Sequence, residues 1–201
     1  DNTLASVQAA IDNNVDVFEM DVRQRPDGTI VMGHDIITTN NDGVEIKSAF
    51  DMLKPTGIKI NLDIKETKAL PELYKLIKEC NMEEQVFLTG LDQSQTKIAK
   101  KDCPGINYYV NYQPSRFKIF SDDYQQKLLK VLDETGAMGI NCNHTYASRT
   151  LSDVLHKNGY KLSVWTVDKE RNMKRALIIR PDNITTHYPD QLQNIIDNWG
   201  E

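Results

Sequence analysis

Hydrophobic positions along the chain follow two rhythms that alternate. Leu4, Val7, Ala10 and Ile11 recur at helical spacing behind Asn2 and Thr3, either of which can cap a helix. The run VDVFEMDV then changes to a period of two and is rich in β-branched and aromatic residues, which predicts a strand. PDGT is a turn and IVMGHD a second extended piece. The same change recurs to the end of the chain. TGIKINLDIKE, QVFLTG, GINYYVNY, AMGINCN, KLSVWTVD and DNITTHYP read as strands. LPELYKLIKECNM, SQTKIAKKDC, SDDYQQKLLKVLDETG, TLSDVLHKNGY, KERNMKRALII and DQLQNIIDNWG read as helices. HDIITTNNDGVEIKSAFDMLK is read only as a short connection to the next strand.

No repeat, linker or low-complexity segment interrupts the alternation, which therefore predicts repeated βα units around a parallel sheet. Seven main strands can be counted, with TIVMGHD as an extra segment after the first. A (β/α)₈ TIM barrel needs eight. The chain opens with a helix, so the expectation is a single barrel domain over residues 1–201 whose first strand lies upstream of Asp1.

Period-two spacing also sorts the polar residues. In VDVFEMDV, Phe18, Met20 and Val22 share one face, and Glu19 and Asp21 lie on the other with Val17. In KINLDIK, Ile60, Leu62 and Ile64 oppose Asn61, Asp63 and Lys65. Alternation of this kind also marks the solvent face of an antiparallel sheet. Its recurrence in a chain with a βα rhythm points the polar set into a barrel, near the C-terminal mouth where such enzymes act. Three acids converging there need a cationic partner. Oxygen donors without thiolates suit one hard divalent cation, Ca²⁺ or Mg²⁺, at Glu19, Asp21 and Asp63. Lys65 shares their face and suits a phosphate oxygen or developing negative charge. His34 follows in a loop beside Asp35, which can orient its imidazole for proton transfer.

Composition narrows the field further. The chain has 201 residues, 26% of them charged, and a net charge of -5, which excludes bulk attraction to nucleic acid or anionic membrane and leaves only local basic patches. The three cysteines, Cys80, Cys103 and Cys142, are far apart and show no metal spacing, so they read as inert thiols. No apolar run is long enough to span a membrane.

Taken in order, DNT, EMD (Glu19–Asp21), DG (Asp27-Gly28), HD (His34-Asp35), NLDIK, VWTVD and NITTHYPD resemble the glycerophosphodiester phosphodiesterase family. The resemblance runs from end to end and implies a (β/α)₈ barrel, a divalent metal, and hydrolysis of glycerophosphodiesters to sn-glycerol 3-phosphate and an alcohol. It implies Glu19, Asp21 and Asp63 as metal ligands, His34 as one of two histidines sharing acid–base work, Lys65 on the phosphate side, and Trp165 as a wall of the substrate pocket. Two departures stand out. The family's His-Arg-Gly motif belongs to the first strand and would precede Asp1. His187 stands where the family usually carries Asp, and is read as a loop residue, as is His144. Two rival readings share the scaffold: a phospholipase D-like hydrolase of lysophospholipid, which calls for an apolar loop at the mouth, and a non-catalytic phosphate-binding barrel.

Overall fold

The computed structural model describes residues 2–200. Two compact units meet in sequence between Tyr108 and Tyr109. The first contains α1 (Leu4–Asp12), β1 (Val17–Gln24), β2 (Ile30–Met32), β3 (Val44–Glu45), α2 (Ile46–Leu53), β4 (Lys59–Ile64), α3 (Leu70–Cys80), β5 (Val86–Thr89) and α4 (Gln95–Asp102). The second contains β6 (Tyr109–Asn111), α5 (Asp122–Thr135), β7 (Gly139–Asn143), α6 (Arg149–Lys157), β8 (Lys161–Trp165), α7 (Glu170–Ile179), β9 (Asn183–Ile184) and α8 (Pro189–Asp197).

Local chemistry starts these elements where the sequence places them. Thr3, not Asn2, caps α1: its hydroxyl accepts the Ser6 N–H at 3.1 Å, and the Ser6 hydroxyl lies 3.3 Å from the Thr3 N–H in return. That leaves Asn2 free for another task. Ser121 precedes α5, and Asp122 and Asp123 sit in its first turn, where carboxylates suit the positive end of the helix dipole.

The first unit carries a five-stranded sheet in the order β3-β2-β1-β4-β5. β1, β4 and β5 run parallel, and β2 and β3 add antiparallel partners at one edge. Register pairs Phe18 with Ile60, Met20 with Leu62 and Val22 with Ile64, all buried. The other face carries Glu19 beside Asn61, Asp21 beside Asp63, and Asp63 beside Thr89. The second unit is a four-stranded parallel sheet, β6-β7-β8-β9. One rung crosses it completely: Asn111, Asn141, Ser163 and Asn183 are consecutive register partners.

The seven parallel strands are those the alternation predicts, but three boundaries differ. β6 and β9 hold only three and two residues, much shorter than GINYYVNY and DNITTHYP. β2 stops at Met32, so His34 and Asp35 fall outside the strand, in the loop expected for His34. HDIITTNNDGVEIKSAFDMLK is more than a connection: it forms β3 and α2. Ile46, Ala49, Phe50 and Leu53 are buried at the i, i+3, i+4, i+7 spacing of an amphipathic helix. No side chain caps its start, unlike those of α1 and α6. The three cysteines are free thiols; burial pushes Cys103 and Cys142 up to about 12, which keeps them protonated and inert. No helix among the described residues is long and apolar enough to cross a membrane.

Candidate metal and active site

Parallel pairing of β1 with β4 brings Glu19, Asp21 and Asp63 together on one face of the two strands. One carboxylate oxygen from each lies within 4.8 Å of the others. Asp21 is buried, and Glu19 and Asp63 are half-buried. Such crowding disfavours full ionisation. Burial is the largest cause that raises Glu19, followed by the charges of Asp21 and Asp63. Lys65 pulls the other way, and the carboxyl settles at about 7.

Each of the other two acids is held from more than one side. Asn2 clamps Asp21: its amide Nδ2 donates to Oδ2 at 2.8 Å, and its Oδ1 accepts the Asp21 N–H at 2.9 Å. Lys65 Nζ lies 2.7 Å from Asp21 Oδ1 and 2.5 Å from Asp63 Oδ2. Burial would lower the Lys65 ammonium, but its bonds to these two carboxylates raise it. Thr89 Oγ1 lies 2.8 Å from Asp63 Oδ1 and 2.7 Å from Asn61 Oδ1, sharing its single proton between two acceptors. Gly90 completes the support. A Cβ there would stand 2.8 Å from Asp63 Oδ1 and 2.5 Å from the Ile64 carbonyl, and its φ of +79° lies in the left-handed region.

The donor set fits a divalent cation. It offers three carboxylates and no sulfur, the preference of a hard ion. A cation already stands among these oxygens, since the Lys65 ammonium bridges Asp21 and Asp63. No hydrogen bond or ion pair reaches Glu19 among the described residues, so one ligand position stays open for an ion.

His34 is tethered next to this cluster through its backbone. Gly33 donates its N–H to the Asp21 carbonyl at 3.1 Å. Arg23, two residues beyond Asp21 on β1, donates from Nη2 to the His34 carbonyl at 2.9 Å and from Nε at 3.3 Å. The same guanidinium lies 3.6 Å from Glu66. The His34 imidazole itself is 77% exposed and rests its Nδ1 3.1 Å from Asp35 Oδ1, leaving Nε2 open.

Trp165 lies in the second unit, at the end of β8. It is half-buried, and its indole Nε1 is buried without a hydrogen-bond partner. In the loops beyond β8 and β9, Asp168 gathers the His187 N–H at 3.0 Å, His187 Nδ1 at 2.9 Å and Thr186 Oγ1 at 3.3 Å. Burial would raise Asp168, yet these bonds hold it below the usual carboxylate range. Burial and the nearby Arg175 lower His144.

Glu19, Asp21, Asp63 and Lys65 are thus the residues that periodicity singled out, brought together. Asn2, Thr89 and Gly90 support them, Arg23 holds the His34 backbone, and periodicity did not mark these four. Asn2 carried a visible signal, since it precedes the better cap Thr3 and so had a side chain to spare.

Known proteins resemble this chain along most of its length. The sequence profile described as the glycerophosphoryl diester phosphodiesterase family matches residues 40–191. A glycerophosphodiester phosphodiesterase of Caldanaerobacter subterraneus subsp. tengcongensis is 24% identical, across 100% of this chain and 93% of its own length. A glycerophosphodiester phosphodiesterase from Parabacteroides distasonis has a similar fold, with a TM-score of 0.80 at 16% identity, over 99% of this chain and 91% of that one. An Oleispira antarctica phosphodiesterase, solved in complex with the product sn-glycerol-3-phosphate, gives a TM-score of 0.75 at 18% identity over 98% and 91%. The fold is accordingly that of the (β/α)₈ barrel phosphodiesterases. With three quarters of its length matched by the family profile, the chain belongs to the glycerophosphoryl diester phosphodiesterase family.

Proposed function

We propose that this chain hydrolyses glycerophosphodiesters to sn-glycerol 3-phosphate and an alcohol, with one divalent cation held by Glu19, Asp21 and Asp63. The observation that carries the reading is the carboxylate cluster with Lys65 at its edge. Ca²⁺ and Mg²⁺ both suit its oxygen donors. Such an ion, when bound, supplies positive charge against the non-bridging oxygens of a phosphodiester.

The chain's own residues do the rest. Lys65 turns from its two carboxylates toward a phosphate oxygen and offsets charge that grows there as the P–O bond breaks. Asn2 and Thr89 keep Asp21 and Asp63 in one orientation whether or not Lys65 stays with them. His34 takes or gives a proton at Nε2, while Asp35 beside Nδ1 orients the ring. Arg23 is a positioning residue that fixes the His34 backbone. Trp165 offers an aromatic wall for the substrate, with an indole N–H still to be satisfied.

The test is to incubate the protein with glycerophosphocholine and with glycerophosphoethanolamine and to quantify sn-glycerol 3-phosphate by a coupled dehydrogenase. Release should depend on added Ca²⁺ or Mg²⁺ and stop with EDTA. Product formed equally in EDTA, or none with either ion, would remove the reading.

A further inference from the structure

The second unit presents a feature unrelated to the carboxylate cluster. Between β6 and α5 the sequence SRFKIF forms a single 3-10 turn, Lys118–Phe120. Phe117 is 93% exposed and Phe120 71% exposed, the first more than any other large hydrophobic residue described. Phe117 immediately precedes the turn and Phe120 ends it, so both exposed rings stand at the same tip. Arg116 and Lys118 flank Phe117 and are exposed as well.

This tip is displayed by a firm base rather than left loose. Ile119 is buried at 1% exposure and Pro114 is buried behind it. Ser115 donates its N–H to the Tyr124 hydroxyl at 2.7 Å, and Gln125 donates from Nε2 to the Ile119 carbonyl at 2.8 Å. The Ile119 N–H reaches the Ser115 carbonyl, and the Ser121 N–H reaches the Lys118 carbonyl. Local hydrogen bonds thus fix the turn, and nothing apolar covers its outer side.

The charge around it is unbalanced. Arg175 of α7 spends one N–H on the Ala147 carbonyl and has no carboxylate partner among the described residues. Burial and the positive charge of Arg116 lower it, so two guanidiniums lie near one another. Asp123 is taken up by Lys127, so among the described residues the exposed Asp122 is the acid of this segment left to oppose the charges of Arg116, Lys118 and Arg175. Two outward rings set among unpaired cations match an interface that is apolar below and anionic above. That is a bilayer of anionic phospholipid, with the rings in the acyl boundary and the guanidiniums at the phosphates.

We infer that the turn Arg116–Phe120 is a membrane-surface anchor that docks the protein on anionic lipid. Binding is peripheral and reversible, because two rings and a few cations make a small contact. It is weakened by salt, because the remainder of a chain of net charge -5 contributes no attraction.

The test is co-sedimentation of the full chain with vesicles of phosphatidylcholine alone and with vesicles containing one third phosphatidylglycerol. Wild type should sediment with the anionic vesicles only. Phe117→Ser with Phe120→Ser should weaken binding by about tenfold or more per ring. Arg116→Gln with Lys118→Gln should weaken it by about fivefold per cation and flatten the salt dependence. Neither pair should change hydrolysis of soluble glycerophosphodiesters, so failure here is distinct from failure of the proposed activity. Soluble glycerol phosphate at millimolar concentration should not release the protein from vesicles. Wild type left in the supernatant, variants that bind as well as wild type, or a wild-type dimer dissolved by Phe117→Ser with Phe120→Ser would each overturn the inference; the last would assign the surface to a second copy of this chain.

Discussion

The parallel strands of both sheets carry a row of polar side chains on one face, yet the two rows differ in kind. In β6 to β9 the row is neutral and falls into two hydrogen-bonded pairs. Asn141 donates to Asn111 at 2.9 Å, and Asn183 donates to Ser163 at 3.0 Å. In β1, β4 and β5 the row is acidic and unevenly partnered: Lys65 serves two acids, while Glu19 is left over and pushed up to about 7. Neutral hydrogen-bonded pairs specify a structure, whereas an unbalanced carboxylate cluster stores an affinity for cations.

If this contrast is right, substitutions on the two rows have different consequences. The largest effect is expected at Asp63. Asp63→Ala should lower turnover of glycerophosphodiesters by about 10²- to 10³-fold in steady-state assays, since both the proposed ion and Lys65 lose a partner. His34→Ala should cost about 10²-fold in turnover and leave the melting temperature nearly unchanged, because the imidazole is exposed. A near wild-type rate would take His34 out of the mechanism. Asn2→Ala should weaken metal affinity by about 10- to 100-fold in a calorimetric titration, as it unclamps Asp21 without removing a ligand.

The pH dependence of stability sharpens the contrast. Glu19 has its folded value raised from 4.5 to about 7, so the folded chain binds more protons than the unfolded chain between those values. Stability of the metal-free protein from this group is therefore fully present below 4.5 and lost as pH rises to about 7, by up to about 3 kcal/mol. Urea melts should show this fall in wild type and lose it in Glu19→Gln. The smallest effect on activity is expected in the second sheet. Asn141→Ala should cost about 1–3 kcal/mol of stability by leaving Asn111 unpaired, with turnover unaltered.

The contrast was only half legible in the sequence. Period-two alternation is local, so it exposed Glu19 and Asp21 on one strand and Asp63 and Lys65 on another. It could not show that β1 and β4 are neighbours with Asp21 opposite Asp63, which is a matter of register. Support for Asp63 from Thr89, 26 residues away, depends on strand pairing and has no local mark, and the spare side chain of Asn2 gave no hint of its partner Asp21, 19 residues on. α2 was missed for another reason: its apolar stripe was present, but it starts without a cap and follows a polar loop. The amide rung of the second sheet was invisible because β6 and β9 are too short for a pattern to register.

The central claim is that Glu19, Asp21 and Asp63 form one oxygen-only cation site, and titration calorimetry with Ca²⁺ and Mg²⁺ tests it most directly. At pH 8 wild type should bind one ion, with affinity falling about tenfold per pH unit below about 7 as Glu19 takes up its proton. Glu19→Ala should abolish the heat of binding. Undiminished binding in that variant, or no binding by wild type at pH 8, would contradict the account.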